Sequence, residues 1–481
     1  MTHIAIAAET GRIQKSAFSA ALIGVVVVTA AISLFYQLAS PYWMDEVFTG
    51  ALACQNDAAA VAALAANDVH PPTYALLVHE AFLFFGCNLL AARVMSLAFS
   101  LTGVALLLMS LDANAAGRAR LALIVAAMPA FWHYTVEARS YALMFCVACG
   151  VIFLSSQKDM RYKQYAVYLA LIGATVNFFG LYLIPVAFLL GLSTDRSFYR
   201  NKRFQFAVAL LAAAVAALYA RSLPDALLAT SHGFWIPEPS FDGLFGGLPV
   251  FIFGNRLSVY LILATIALSA YLTRKNLDAH EIATLLCYLA AFSIFVLVIF
   301  GLSYIKPMYV DRYTYFLTPF VALFIWRLSR ASADCPDAAG ANLAHMLTCF
   351  TFSLLCLFNC AAAPAVAPNI RALNWEKAAR EADCTARSPC YFALDNTVEP
   401  AFSDAQYASV ANFWAEDKAS YHAVRTMELS KVLIRPELKK LLYVGSRNPR
   451  LNFPAIAAAH RLSCVSYMVR DYGAKFCTLP Q

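Results

Sequence analysis

The chain has 481 residues, 61% of them hydrophobic and 14% charged, with a mean hydropathy of +0.62 and a formal net charge of +7. A soluble domain averages about 25% charged residues, so there is too little charge here to cover a water-facing surface. The positive excess is no nucleic-acid footprint either, because the basic residues fall in short clusters between apolar runs, as they do in cytoplasmic loops of membrane proteins.

Met1 to Lys15 is weakly charged and precedes the apolar run Ala17–Tyr36 without a clear small-residue cleavage site, so the first helix is expected to be retained. Apolar runs recur to Ala362 and lack a two-residue alternation, which makes them helices rather than barrel strands. The basic clusters are Arg12/Lys15, Arg118/Arg120, Lys158/Arg161/Lys163, Arg196/Arg200/Lys202/Arg203, Arg274/Lys275 and Arg327/Arg330. Placing all six on the cytoplasmic side predicts about eleven spans, near 17–36, 94–111, 120–135, 141–155, 164–178, 180–193, 204–220, 257–273, 282–304, 313–328 and 343–362. Gln164–Ser193 is too long for one helix and reads as a hairpin turning near Asn177–Gly180. Pro72–Phe85 would be only about 21 Å long as a helix, too short to span upright, and reads as an interfacial helix in the first outer loop.

The fold class expected is therefore an all-α polytopic membrane protein with a small C-terminal mixed domain. Residues 1–362 form the membrane domain and residues 363–481 the other, with the N-terminus cytoplasmic and the C-terminal domain extracytoplasmic. The latter region is more polar, with 15 Lys/Arg and 11 Asp/Glu. Cys384, Cys390, Cys464 and Cys477 lie in it, with room for one or two disulfides in an oxidising compartment and no pairing legible. Cys54 and Cys87 also fall outside, where a bond would tie the first loop to the interfacial helix. Cys146, Cys149, Cys287, Cys349, Cys356 and Cys360 lie in apolar spans and read as small core residues.

Chemistry-bearing residues gather in the outer loops. Tyr42-Trp43-Met44-Asp45-Glu46 places two acids just after the first span; a helix N-cap at Asp45 is the bland alternative. His70-Pro71-Pro72 follows, its histidine either solvated or bonded to a carboxylate or phosphate. Glu137-Ala138-Arg139-Ser140-Tyr141 offers a guanidinium fork to phosphate, unless Glu137 and Arg139 merely pair with each other. Lys306-Pro307-Met308-Tyr309-Val310-Asp311-Arg312-Tyr313 sets cations beside aromatics, which an interfacial belt with snorkelling side chains also explains. Gly233 to Ser240 mixes aromatic, proline and acid as an outer cover or an interfacial anchor. Positive residues on the disfavoured side (Arg93, Arg139, Arg221, Arg256, Lys306 and Arg312) suit binding of an anion.

The order of an acidic pair after the first helix, HPP-x-Y, EAR-x-Y, WIPEPS and a late DRY resembles the GT-C membrane glycosyltransferases. The likeness is to the bacterial branch related to protein O-mannosyltransferases and the lipid A aminoarabinose transferase, and it covers roughly residues 15–330. The resemblance implies a bacterial inner-membrane enzyme that moves a sugar from a polyprenyl-phosphate donor to a glycan, lipid or protein acceptor. By the same resemblance Asp45 is the catalytic acid with Glu46 beside it, and Arg139, Arg312 and Lys306 meet the donor phosphate. His70, Glu137, Tyr141 and Tyr313 complete the expected substrate-binding set. The residue types suit an inverting displacement in which Asp45 takes the acceptor proton and cations receive the leaving phosphate. No cofactor is required by these residues; adjacent carboxylates are compatible with a divalent cation but do not complete a site. The rival is a transporter or flippase of a lipid-linked substrate, which calls for mid-helix charges and paired broken helices.

Overall fold

A backbone in lipid has no water to bond and must pair with itself, so apolar runs of this length become helices. The computed structural model describes residues 2–40, 42–66, 68, 70–194, 197–229, 236, 238–274, 277–330, 338–370, 384, 390–395, 404–413, 421–424, 429, 440–445, 453–469 and 472–478. These divide into two compact units. One comprises Met1–Leu38, Ser96–Val215 and Ile236–Pro364; the other comprises Ala39–Met95, Ala216–Trp235 and Ala365–Gln481.

The helices of the first half are α1 (Thr2–Ala39), α2 (Met44–Ala53), α3 (Ala58–Ala65), α4 (Thr73–Phe85), α5 (Leu89–Met109), α6 (Ala115–Ala126), α7 (Pro129–Thr135), α8 (Tyr141–Ser156), α9 (Met160–Ala174), α10 (Leu183–Thr194) and α11 (Lys202–Ala229). They are followed by α12 (Leu248–Phe253), α13 (Arg256–Thr273), α14 (Ala279–Leu302), α15 (Thr318–Arg330) and α16 (Ala338–Ile370). Among the described residues, six stretches are long and apolar enough to cross a bilayer: Ala17–Ala39, Leu89–Met109, Lys202–Ala220, Arg256–Thr273, Glu281–Leu302 and Asn342–Ala362. Their outward faces carry exposed Val27, Phe206, Leu257, Leu286 and Phe350, an apolar surface suited to lipid rather than water. The chain is a multi-pass membrane protein.

Each expected span has a helical counterpart, and among the described residues six of these are supported as crossings by length and composition. A seventh is added if α6 and α7, which meet at a 78° bend, act as one. That bend follows from Pro129 at the start of α7, where no backbone N–H is available to continue α6. Trp132 Nε1 and Asn359 Nδ2 instead satisfy the carbonyls of Ala126 and Ala127, at 2.7 and 2.9 Å. Elsewhere, 3₁₀ turns at Phe178–Tyr182 and Asp311–Leu317 shorten the regular helices that follow them. The first is the predicted hairpin turn between α9 and α10, where the Asn177 side chain accepts from Phe179 N at 3.0 Å.

In the second unit α4 is 13 residues, about 20 Å, as expected for a helix too short to span. It buries Tyr74, Val78, His79 and Phe82 and exposes Leu83, Phe84 and Phe85. His79 Nδ1 lies 2.9 Å from the Ala53 carbonyl, holding α4 to the end of α2. The C-terminal part adds α17 (Asp404–Ala411), α18 (Phe453–Ala459) and strands β1 (Cys390–Asp395), β2 (Tyr421–Ala423), β3 (Lys440–Gly445), β4 (Ser463–Val469) and β5 (Tyr472–Thr478). The sheet order is β2-β1-β3-β5-β4; β1 runs parallel to β2 and β3, and β5 antiparallel to β3 and β4. Its core gathers Ala393, Leu429, Leu441, Tyr443, Phe453 and Cys477. Tyr407 of α17 donates to Val424 O and accepts from Leu394 N, while Ser409 donates to Ala51 O at 2.9 Å. α17 thus joins this sheet to α2. Among the described residues three disulfides form, Cys54–Cys87, Cys384–Cys390 and Cys464–Cys477, the last across paired positions of β4 and β5.

A Cβ placed on Gly180 would strike the backbone carbonyl of Gly173 in the α9–α10 hairpin, where no side chain can rotate aside. Gly180→Ala is expected to cost on the order of 1–3 kcal/mol and to lower the thermal midpoint in detergent. Gly24→Ala, with nothing near its Cβ, serves as the neutral control.

Candidate active site

The expected site residues fall in both units: Asp45, Glu46 and His70 in one, and Glu137, Arg139, Tyr141, Lys306, Arg312 and Tyr313 in the other.

In the first group, α2 begins at Met44 with Trp43 as its N-cap, so Asp45 is not the capping residue. Glu46, at the third helical position, accepts from Trp43 N at 2.8 Å. The same carboxylate takes two bonds from Arg93 of α5, Nε to Oε1 at 2.8 Å and Nη2 to Oε2 at 2.7 Å. Arg93 Nη1 donates to Ser40 O at 2.7 Å, and its guanidinium lies 4.2 Å from the centre of the Tyr42 ring. Both charged residues are fully buried. Asp45, one residue away, is half-buried in the first turn of α2. His70 is buried just ahead of the Pro71-Pro72 entry to α4.

The second group is built where α7 gives way to α8. Glu137 and Arg139 are both buried in that turn, with Arg139 N donating to Glu137 O at 2.7 Å. Glu137 Oε2 lies 3.9 Å from His133 Nε2, an ion pair whenever the histidine is protonated. Tyr141 opens α8 and lies within electrostatic reach of Arg312, Tyr313, Arg139 and Glu137 together. Its hydroxyl is buried and has no hydrogen-bond partner among the described residues. Tyr141, Met144, Asn177, Phe179, Tyr313 and Phe316 line a small cleft there. Beneath it the rings of Tyr134, Phe145 and Tyr315 interlock at centroid distances of 5.3 Å. The five residues Glu137, Arg139, Tyr141, Arg312 and Tyr313 are therefore brought together.

Lys306 follows α14, with its N–H on Leu302 O at 3.1 Å, and partial burial lowers the pKa of its amine. Burial raises that of the Asp311 carboxyl, partly offset by Tyr309. Gly233, Phe234, Trp235 and Pro237 lie outside the described residues, whereas Ile236 is buried and Ser240 accepts from Gly243 N. Among the described residues, no three His, Cys, Asp or Glu side chains gather as a metal site.

Sequence reasoning singled out Arg93 for its side but not its partner, since a contact over 47 residues has no spacing rule. Asn177 was read only as a turn, yet it also donates to Ser140 Oγ at 3.2 Å and lines the cleft.

No protein-family model and no curated protein sequence matches the chain. Its structure is similar to that of ArnT from Cupriavidus metallidurans in the apo state, with a TM-score of 0.53 and 14% identity over 95% of this chain and 99% of that one. It is also similar to ArnT from Cupriavidus metallidurans bound to undecaprenyl phosphate, with a TM-score of 0.51 and 13% identity over 97% of this chain and 100% of that one. The Archaeoglobus fulgidus oligosaccharyltransferase in the apo form matches at 0.47 and 11% identity, over 88% and 69%. The chain thus shares its fold with these two ArnT structures over nearly its whole length.

Because its folded pKa lies above that of the unfolded chain, ionised Asp311 weakens the fold at neutral pH, and this cost disappears once pH falls below the ordinary carboxylate range. Asp311→Asn is expected to raise the thermal midpoint at pH 7 and leave it unchanged in acid; a midpoint lowered equally at both pH values would contradict the burial effect.

Proposed function

We propose that this protein is a membrane glycosyltransferase that takes a sugar from a polyprenyl-phosphate donor and passes it to an acceptor on the extracytoplasmic face. The observation that carries it is the buried, unpartnered Tyr141 hydroxyl set among Arg139, Arg312 and Glu137, in a chain with the fold of a protein solved with undecaprenyl phosphate. A buried polar group without a partner is costly unless a ligand supplies one, and two guanidiniums beside it favour an anionic one.

In the proposed reaction Arg139 and Arg312, joined by Lys306, hold the donor phosphate and receive the charge that develops as it leaves. Tyr141 and Tyr313 flank that group, and Glu137 orients Arg139. His70 contributes to substrate binding. Asp45 accepts the proton of the acceptor hydroxyl, and a single displacement inverts the anomeric centre. Such proton removal is worth on the order of 10²–10⁴ in rate. The membrane domain is residues 1–362 and the extracytoplasmic domain residues 363–481, with a cytoplasmic N-terminus in a bacterial inner membrane.

The purified protein would be given synthetic undecaprenyl-phosphate hexoses and pentoses, with membrane extract as acceptor and donor hydrolysis as the acceptor-free readout. Asp45→Asn is expected to abolish turnover while donor binding persists; full turnover in that variant removes Asp45 from the base role. Arg139→Ala and Arg312→Ala are each expected to weaken undecaprenyl phosphate binding about tenfold or more, a loss of at least about 1.4 kcal/mol. Unchanged binding in both would refute the phosphate assignment. Movement of the lipid across vesicles without sugar transfer would favour a flippase.

A further inference from the structure

Glu46, Gly50 and Cys54 recur every four residues along α2 and its C-cap and so share one face of the helix. Opposite them, around the start of α5, stand Arg93, Leu89 and Cys87 in the reverse order. The first pair is the bidentate Glu46–Arg93 bridge. At the second, a Cβ on Gly50 would lie 2.7 Å from Leu89 Cδ2 and 2.7 Å from Phe413 Cζ, so the glycine leaves room for both side chains against α2. The third is the Cys54–Cys87 disulfide, with its Cα atoms 5.5 Å apart. Arg93 also reaches back to Ser40 O and the Tyr42 ring, which fixes the segment that enters α2. Successive helix residues are rotated by about 100°, so the contacts that turn Glu46 inward set the direction of Asp45.

We infer that Arg93, Glu46 and the Cys54–Cys87 bond form a three-point lock that fixes the rotation and height of α2, making Glu46 and Arg93 positioning residues for Asp45. It rests on the base role proposed for Asp45. Glu46 cannot readily serve as the base itself, because accepting a proton would dissolve its bridge to Arg93.

The test is made on the full-length protein in detergent, with whichever undecaprenyl-phosphate sugar it turns over. Glu46→Ala and Arg93→Ala are expected to lower kcat on the order of 10²-fold, the effect of about 1 Å of misplacement, while KM for the donor stays within about threefold. Glu46→Gln keeps an oxygen for Arg93 and for Trp43 N, and is expected to recover to within about tenfold of the wild type. Cys54→Ser with Cys87→Ser removes only the far point of the lock and is expected to fall between. Independently of turnover, hydrogen exchange of the amides over residues 43–54 is expected to rise in Arg93→Ala and in the double serine variant, and to rise less in Glu46→Gln. Glu46→Ala at near wild-type kcat with Asp45→Asn inactive would overturn the lock alone. Glu46→Gln as inactive as Glu46→Ala, with Asp45→Asn active, would make Glu46 the base and overturn both assignments. Unchanged exchange in Arg93→Ala would also sink the lock.

Discussion

Taking a carboxylate and a guanidinium out of water costs several kcal/mol per ion before any attraction is counted. Glu46 and Arg93 are both fully buried, so the segment around α2 is organised around meeting that cost. Two parallel N–H···O bonds join the pair, Trp43 N supplies the carboxylate with a third donor, and Ser40 O accepts a further bond from the guanidinium. The Tyr42 ring covers the cation's flat face. Removing either partner would strand the other charge, typically at 3–5 kcal/mol. The start of α2 and the direction in which it turns Asp45 both depend on this contact between residues far apart in the chain.

Similar economics govern the other unit with a different solution. There the cations Arg139 and Arg312 lie within electrostatic reach of Tyr141, and Arg312 stands 5.7 Å from the centre of the Tyr313 ring, aromatic side chains that supply apolar bodies with polar tips. Tyr134, Tyr141, Phe145 and Tyr315 are packed ring to ring and cannot swing to satisfy a stray charge. The irregular backbone that bears Glu137 and Arg139 exists because Pro129 bends the chain and leaves α7 only seven residues long. A continuous helix over 120–135 would carry the next turn elsewhere. The break that bends an expected span is therefore what precedes the charged turn.

Much of this was legible in the sequence because it depends on composition and local period. Membrane class, the α9–α10 hairpin at Asn177 and the shortness of α4 each follow from runs and turns, whereas the sequence left open which cysteines pair, Cys54 and Cys87 among them. The number of crossings was not legible, since hydropathy cannot distinguish a straight helix from one shortened by a 3₁₀ turn such as Asp311–Leu317. Nor was the grouping of Ala39–Met95 with the C-terminal region, which depends on Ser409, Gln406 and Phe413 meeting α2 and α3 from more than 340 residues away. The order of the sheet strands was equally hidden, because β1 pairs with both β2 and β3 through long-range contacts.

Two adjacent acids look alike in a sequence, and only their bonds tell them apart. A general base must exchange a proton within reach of its substrate. Glu46 fails that requirement on geometry: its oxygens already hold Arg93 and Trp43, and neutralising it would leave a buried guanidinium facing a carboxylic acid. Asp45 is not buried in this way, yet it cannot turn far, because α2 is held at Glu46, Gly50 and Cys54. In the proposed reaction the acid able to change charge is thus positioned by the acid that cannot. This division of roles gives a physical reason for two carboxylates side by side without requiring both to act on the substrate.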